Sequence, residues 1–258
     1  FIAWGEGKTY AVVIGIDEYV KSSIPALRYA VADAKLFSQA LQDVVHVPKE
    51  NIFLMTSDSP EETAQPKLTN VAYRLGYLRE KVTKEDTVIF YFAGHGLTMD
   101  GQSYLLTEEA DNRNGAALKF SALRGSDLTD LLKVYGAKKA MVMLDACRNS
   151  PGKANNTLDD KFSKDMVNAG GIEQSATLFS CSVGERSWEW DEKKHGFFTY
   201  FLVEGLRQQA ADTTGNVTLQ NLSNYVSNAT AESTGRLASA KQNPFMHYQG
   251  TGQQNWLL

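Results

Sequence analysis

Short apolar runs rich in β-branched residues alternate along the chain with longer segments whose apolar residues recur every three or four positions. The runs predict buried strands, and the longer segments predict helices that cover a sheet. This alternation is typical of an α/β fold with a mostly parallel central sheet and helices on both faces. The predicted strands are Tyr10–Ile16, Asn51–Met55, Thr87–Ala93, Lys139–Leu144 and Ala176–Ser180, the predicted helices are Ala26–Leu41, Thr69–Val82, Ser126–Val134, Phe197–Leu206 and Leu219–Ala229, and a closing strand is predicted within Pro244–Leu258.

One stretch departs from this alternation. Residues 148–175 are mostly small, polar and charged and show little apolar periodicity. A loop of this length inside a compact domain is usually functional or disordered, so we expect a mobile linker there. No internal repeat or low-complexity tract divides the rest, and residues 1–258 are predicted to form a single domain, with parts 1–147 and 176–258 on either side of the linker.

Composition and charge exclude several classes of protein. With 258 residues, of which 43% are hydrophobic, the chain can bury a large core without disulfide bonds. Its net charge is −4 and no basic stripe stands out, which argues against a nucleic-acid partner. No apolar run approaches the roughly 18 residues of a membrane span, so a soluble protein is expected. No glycine-rich phosphate loop occurs, which argues against a nucleotide-binding domain.

Two cysteines, Cys147 and Cys181, are too few for a disulfide framework. A zinc site would need most of its ligands from four scattered histidines, and we expect no metal ion. The chain starts at Phe1, which is compatible with a trimmed or processed form, so the compartment, cytoplasmic or exported, is not indicated.

A histidine and a cysteine directly follow two of the predicted strands. His95 lies between two glycines after the strand Thr87–Ala93, and Cys147 follows the strand Lys139–Leu144 by three residues. Ligands of open parallel sheets bind beyond the carboxyl ends of the strands, so both residues are expected to face one crevice. The histidine precedes the cysteine by a spacing close to the about 50 residues found in caspases.

Each of these residues has a structural alternative. A single histidine is more often a hydrogen-bonded structural residue than a catalyst, and a buried cysteine often acts as a small hydrophobe. The joint placement of His95 and Cys147 favours a catalytic role. Cys181 lies within a strand-like run and is predicted to be a core residue. The remaining histidines, His46, His195 and His247, lack comparable flanks and are predicted to be surface or loop residues.

Four motifs in order along the chain resemble the caspase-like superfamily of cysteine peptidases, in particular its bacterial homologues, metacaspases and paracaspases. The motifs are YAVVIGID (10–17), LRYAVADA (27–34), FYFAGHG (90–96) and LDACRN (144–149). Residues 180–200 resemble the small-subunit part of that fold, so the resemblance covers nearly the whole chain. It implies a three-layer sandwich in which residues 1–147 correspond to the large subunit.

The resemblance implies a cysteine endopeptidase in which Cys147 attacks the scissile carbonyl and His95 transfers protons. The backbone N–H groups of Gly96 and Cys147 are the candidates for an oxyanion hole. No third member of a catalytic triad is evident in the sequence, and we assign none.

Acidic residues in three motifs match acids of the metacaspase and paracaspase specificity pocket. Asp33 and Asp145 match two pocket aspartates, and Glu185 matches a further acid in a less definite register. Carboxylates in these positions predict protein or peptide substrates with Arg or Lys before the scissile bond. The alternatives are a helix-surface acid for Asp33 and an acid bound to local backbone N–H groups for Asp145.

Self-processing, calcium and assembly are further expectations. Lys153, Lys161 and Lys164 lie in the linker, where an enzyme specific for basic residues could cleave itself; an uncleaved, solvated loop is the alternative. The paired aspartates of calcium-dependent metacaspases are replaced by residues 121–127 of different character, so calcium dependence is doubtful and no cofactor is expected. A monomer is expected rather than a dimer.

A catalytically idle caspase-like scaffold or sensor module in signalling is the competing function, because a fold alone does not fix an activity. The presence of both His95 and Cys147 favours the active peptidase.

Overall fold

The computed structural model describes residues 7–134, 136–148, 160–167 and 172–250. Their main feature is a sheet in which five strands, β1 (Thr9–Gly15), β2 (Ile52–Thr56), β3 (Thr87–Met99), β6 (Lys139–Arg148) and β7 (Gln174–Phe179), run parallel. β10 (Phe245–Gln249) closes one edge antiparallel to β7, which gives the order β10-β7-β6-β3-β1-β2. β4 (Gln102–Leu106) and β5 (Ala122–Arg124) extend the far end of β3.

Helices cover both faces of this sheet. One face packs against α1 (Ala30–Asp43), α6 (Phe197–Glu204) and α7 (Leu219–Leu237). The other face packs against α2 (Leu68–Lys81), α4 (Gly125–Val134) and α5 (Asp160–Val167). The alternating buried residues of β3 show the two layers, since Phe90 and Phe92 belong to one core and Ile89 and Tyr91 to the other. The predicted three-layer α/β sandwich is confirmed.

Smaller elements complete the described chain. α3 (Gly115–Lys119) covers a satellite core beneath β4 and β5, and a hairpin of β8 (Glu189–Trp190) and β9 (His195–Gly196) precedes α6. Cys181 is buried in the core, as predicted. Among the described residues, no helix combines the length and the apolar character that crossing a bilayer would require.

Helix and strand boundaries differ from the predicted ones at two places, and both differences affect the position of the site. The first predicted helix starts at Ala30 rather than Ala26, which leaves residues 16–29 as a loop between β1 and α1. β3 and β6 continue past Ala93 and Leu144, so His95 and Cys147 lie within strands rather than beyond them. The continued ladder pairs Gly94 with Ala146 and ends at Gly96 and Arg148. β1 ends opposite Ala93, and the crevice therefore opens where β3 extends beyond it.

The region expected to be a mobile linker contains a helix. α5 inserts Phe162 and Met166, one turn apart and both buried, against two glycines. A Cβ atom on Gly96 would lie 2.8 Å from the Phe162 ring, and one on Gly125 would lie 2.9 Å from the Met166 methyl carbon. α5 thus packs against β3 and α4 at two glycines, where an added Cβ atom would displace the Phe162 ring or the Met166 methyl group.

Candidate active site

The register of the sheet brings the two candidate catalytic residues together. β3 and β6 pair in parallel, and His95 is the partner of Cys147. Neighbouring strands lie about 4.8 Å apart, so residues far apart in sequence have adjacent backbones. The structure describes Cys147 by its backbone position. The predicted proximity of His95 and Cys147 thus follows from the strand pairing itself.

The loop of residues 16–29 fixes the imidazole of His95. The Nε2 atom of His95 lies 2.8 Å from the carbonyl oxygen of Pro25. A carbonyl only accepts hydrogen bonds, so Nε2 carries the proton and donates it, and in the neutral ring Nδ1 is the acceptor nitrogen. The sequence could not predict this contact, because the acceptor is the backbone carbonyl of Pro25 and not a side chain.

Tyr19 supports His95 from the same loop. The backbone N–H of His95 donates to the Tyr19 hydroxyl at 2.8 Å, and the two ring centroids are 5.1 Å apart. A Cβ atom on Gly94 would lie 2.9 Å from the same hydroxyl, so a side chain there would displace Tyr19. His95 is only 2% exposed as a result, and its ring is held from two sides.

Asp33 and Asp145, the predicted pocket acids, meet beside this pair of strands. Both are buried, and both line a pocket of about 330 Å³ that opens to solvent. Gly196 lies between them. Leu27, Trp188 and Glu189 also line this pocket. The structure therefore brings together an aspartate from α1 and one from β6, across 112 positions of sequence, in one cavity.

The hydrogen bonds of Asp33 come from the β8–β9 hairpin. The Gly196 N–H donates to both carboxylate oxygens, at 2.9 and 3.2 Å, and the His195 Nδ1–H donates to Oδ1 at 2.8 Å. Burial lowers the pKa of His195, so the contact is a hydrogen bond from a neutral imidazole. The expectation that His195 is a surface or loop residue is wrong, because it lies in β9 and its side chain is largely buried against Asp33. Its partner is 162 positions away, and local sequence contains no sign of the contact.

Asp145 is held by hydroxyl groups. Ser187 donates to Oδ1 at 2.6 Å and Thr199 donates to Oδ2 at 2.7 Å. The fully buried Gln242 donates to Ser187 and to the carbonyl of Ser180, which fixes the serine. The expected alternative, an acid held by local backbone N–H groups, does not describe this arrangement. Sequence reasoning missed Ser187, Thr199 and Gln242, since single hydroxyl and amide residues have no distinctive pattern.

The electrostatics of the pocket favour a cation. Burial, and next the charge of Asp145, raise the pKa of Asp33 well above its usual value. Burial also raises the pKa of Asp145, partly offset by its bonds from Ser187 and Thr199. Among the described residues, no Lys or Arg forms an ion pair with either aspartate. Two carboxylates that are costly to ionise side by side would gain from a positively charged ligand.

The third predicted pocket acid, Glu185, lies elsewhere. Its carboxylate accepts hydrogen bonds from the backbone and side chain of Asn243 at 2.7 and 2.5 Å, and it is not among the pocket-lining residues. Glu189, four residues later, lines the pocket instead. Arg28 holds Glu189 through its backbone N–H and its Nε, both at 2.8 Å, and also pairs with Asp191.

The candidate self-cleavage residues fall in different places. Lys161 and Lys164 lie in α5, where they form ion pairs with Asp165 and Asp160 on the same helix. Lys153 lies outside the described residues. Gly96, an oxyanion candidate, lies next to His95 in β3. Within the described ranges, no cluster of three or more His, Cys, Asp or Glu residues could hold a metal ion.

Comparison with known proteins agrees with this geometry. The model of the family described as "Caspase domain" matches residues 8–254. The chain belongs to this family, a caspase-like cysteine peptidase superfamily.

Curated relatives are metacaspases. Metacaspase-1 of Pyricularia oryzae is 28% identical over 35% of this chain and 22% of its own length, and metacaspase-3 of Arabidopsis thaliana is 26% identical over 55% and 40%. The matched segments thus span less than half of these relatives. Solved structures show the fold. Protein GSU0716 of Geobacter sulfurreducens gives a TM-score of 0.65 at 14% identity over 97% of this chain and 96% of its own, and caspase-1 of Spodoptera frugiperda gives 0.57 at 10% over 95% and 87%.

Proposed function

We propose that the protein is a cysteine endopeptidase that cleaves after Arg or Lys, with Cys147 as nucleophile and His95 as proton carrier. The observation that carries this proposal is the register pair of His95 and Cys147 beside a buried pocket that contains two aspartates. His95 and Cys147 would carry out the reaction, and the pocket would select the substrate.

The reaction uses the two nitrogens of His95 differently. Nε2–H stays bound to Pro25, so Nδ1 takes the proton of the Cys147 thiol. The thiolate forms a bond to the scissile carbonyl carbon, and the resulting imidazolium returns its proton to the amine as the C–N bond breaks. A water molecule, deprotonated by His95, then hydrolyses the thioester and regenerates the thiol.

The backbone N–H groups of Gly96 and Cys147 are proposed to stabilise the oxyanion. Removal of one such donor typically costs at least about a hundredfold in rate. Phe162 contacts the position of a Cβ atom on Gly96 from behind, which supports a fixed backbone at this point. No metal or organic cofactor is assigned a role in this proposal.

Substrate selection rests on charge. A guanidinium or ammonium group that enters the pocket would meet Asp33 and Asp145. Glu189 also lines the pocket, where the predicted Glu185 does not, but its carboxylate is paired with Arg28. An Asp side chain would face Asp33 and Asp145, and the described residues that line the pocket include no Lys or Arg to pair with it, so substrates with Asp at this position are disfavoured.

Self-processing is proposed at Lys153 rather than at Lys161 or Lys164. Peptidases bind their substrates in extended form, and the last two residues lie in a helix whose apolar side chains are buried. Cleavage after either of them would require α5 to detach from β3 and β4.

The test is turnover of matched fluorogenic peptides that end in Arg, Lys or Asp, with Cys147→Ala as control and with calcium added or chelated. We expect cleavage after Arg or Lys that is absent in the variant. Preferential turnover after Asp would contradict the specificity. A folded protein that cleaves none of the peptides would instead favour the idle scaffold.

A further inference from the structure

Gly196 occupies a position where the backbone does not require glycine. Its φ of −68° and ψ of 143° are available to every residue type, and it precedes the first residue of α6, where Ser, Asp or Asn would stabilise a helix better. A Cβ atom on Gly196 would lie 3.0 Å from Oδ2 of Asp33 and 3.0 Å from Oδ2 of Asp145. A Cβ atom here would be in unusually tight contact with both carboxylates, and glycine leaves the space between them free.

The hydrogen bond from His195 orients the carboxylate of Asp33. Oδ1 of Asp33 receives the His195 Nδ1–H and a longer bond from Gly196, whereas the donor that the described part of the chain gives Oδ2 is the Gly196 N–H. Oδ2, which faces the same space as Oδ2 of Asp145, thus keeps more of its acceptor capacity. Both donors are neutral, so they orient the carboxylate without cancelling its charge.

We propose that His195 and Gly196 are specificity-determining residues: Gly196 keeps open the space between Asp33 and Asp145 for the substrate cation, and His195 orients Asp33 toward it. This inference rests on the proposed function, because it assigns two further residues to the same pocket. His195 acts through Asp33 and is a positioning residue, whereas Gly196 sets the free volume beside the cation.

The hairpin that carries both residues is anchored outside the pocket. Trp190 pairs with His195 in the β8–β9 ladder, and its indole stacks on Phe197 with ring centroids 4.8 Å apart. The ladder pairing uses backbone atoms and the stacking uses Phe197, so a side-chain substitution at residue 195 or 196 leaves the anchor in place. The other ionisable groups that act on Asp33 or on the pocket are Asp17, Arg28, Tyr91, Asp145 and Glu189.

The first experiment measures kcat and KM on Arg and Lys peptides for Gly196→Ala, with Gly76→Ala as the matched control because a Cβ there meets nothing within 4 Å. The added methyl group fills the space between the carboxylates, and we expect KM to rise about tenfold or more. The alkylation rate of Cys147 by iodoacetamide should stay at the parental value, because it reports on the nucleophile alone.

The second experiment compares His195→Asn with His195→Leu. Asn places an amide N–H where Nδ1–H was, whereas Leu removes the donor and makes the Asp33 carboxylate harder to ionise. We expect the Leu variant to raise KM and to move the acid limb of kcat/KM to higher pH, and the Asn variant to restore most of both. Loss of folding alone would reduce the amount of active enzyme and would not move the acid limb.

Parental KM values in Gly196→Ala, or identical behaviour of the Asn and Leu variants, would overturn the inference. If the parent protein cleaves neither Arg nor Lys peptides, the proposed function itself fails. Calorimetric binding of N-acetyl-arginine amide to the Cys147→Ala protein, with and without Gly196→Ala, then decides. Binding that the second substitution abolishes supports the inference, and unchanged or undetectable binding refutes it.

Discussion

The catalytic side of the site, at His95, and the pocket side, at Asp33 and Asp145, are held in different ways. His95 is fixed by one loop, residues 16–29, through a backbone carbonyl and a tyrosine hydroxyl. Asp33 is instead held by the β8–β9 hairpin, through Gly196, which is 163 positions away. Asp145 is held by Ser187, which precedes that hairpin, and by Thr199 of α6. The same loop also carries Leu27 and Arg28, which lie at the pocket, so we infer that the two sides can be altered separately at Pro25 and Tyr19 but not throughout the loop. Changes near His95 should affect kcat, and changes near the aspartates should affect KM.

The largest effect is expected from His95→Ala. Loss of the group that takes and returns the proton should lower kcat by roughly 10²- to 10⁴-fold on basic peptides, with little change in KM. Steady-state kinetics test this, and circular dichroism confirms that the variant is folded. Substantial kcat in the folded variant would show that another residue carries the proton.

The second-largest effect is expected from Asp33→Asn, which removes the charge of the side chain but keeps an oxygen that can accept from the Gly196 N–H. We expect kcat/KM on Arg and Lys peptides to fall by roughly 10- to 100-fold, mainly through KM, because a charge-assisted bond becomes a neutral one. The rate of iodoacetamide alkylation of Cys147 serves as the internal control. A fall in that rate would mean that the two sides of the site are coupled.

A smaller effect is expected from Tyr19→Phe. The variant keeps the ring beside His95 but leaves the His95 backbone N–H without the hydroxyl acceptor seen here. A small displacement of the imidazole should lower kcat about tenfold without raising KM. The exposed Tyr73 provides the control variant Tyr73→Phe. If KM rises instead, the loop contributes to substrate binding as well as to the position of His95.

The smallest effect concerns stability and its pH dependence. The pKa of Asp33 is raised in the folded protein above its value of 3.8 in the unfolded chain, so between the two values the folded state holds more protons and stability falls as pH rises. Above the folded pKa the full penalty persists. Asp33→Asn lacks it and should raise Tm by about 2–4 °C at neutral pH. The gain should disappear as pH falls toward 4, and a constant gain at all pH values would contradict this origin.

Strand periodicity was sufficient to predict most of the fold. Buried parallel strands are runs of apolar residues, and His95 and Cys147 could be chosen because each follows such a run. Asp33 and Asp145 were chosen instead from the resemblance of their motifs to those of metacaspases and paracaspases. The helix α5 was missed because its apolar residues, Phe162, Met166 and Val167, stand in an otherwise polar stretch. Three apolar positions in a short helix are too few to give a recognisable period.

The parts of the site that the sequence did not reveal depend on contacts between distant segments. The Pro25 carbonyl is a backbone group, and His195 reaches Asp33 only because the β8–β9 hairpin lies over the start of α1. The register of Glu185, which the sequence left indefinite, depended on how the chain turns after β7. In the structure Glu185 binds Asn243 in that turn, and Glu189 reaches the pocket.

The pairing of β6 with β7 has a consequence for a broken chain. These strands form six parallel register pairs in the interior of the sheet, and α5, from the segment that joins them, is docked on β4 and α4. A single peptide-bond cut in this connection would therefore yield two fragments that remain one particle. They should co-elute in gel filtration and separate only in denaturant, so intact size in native buffer says nothing about whether the backbone is continuous.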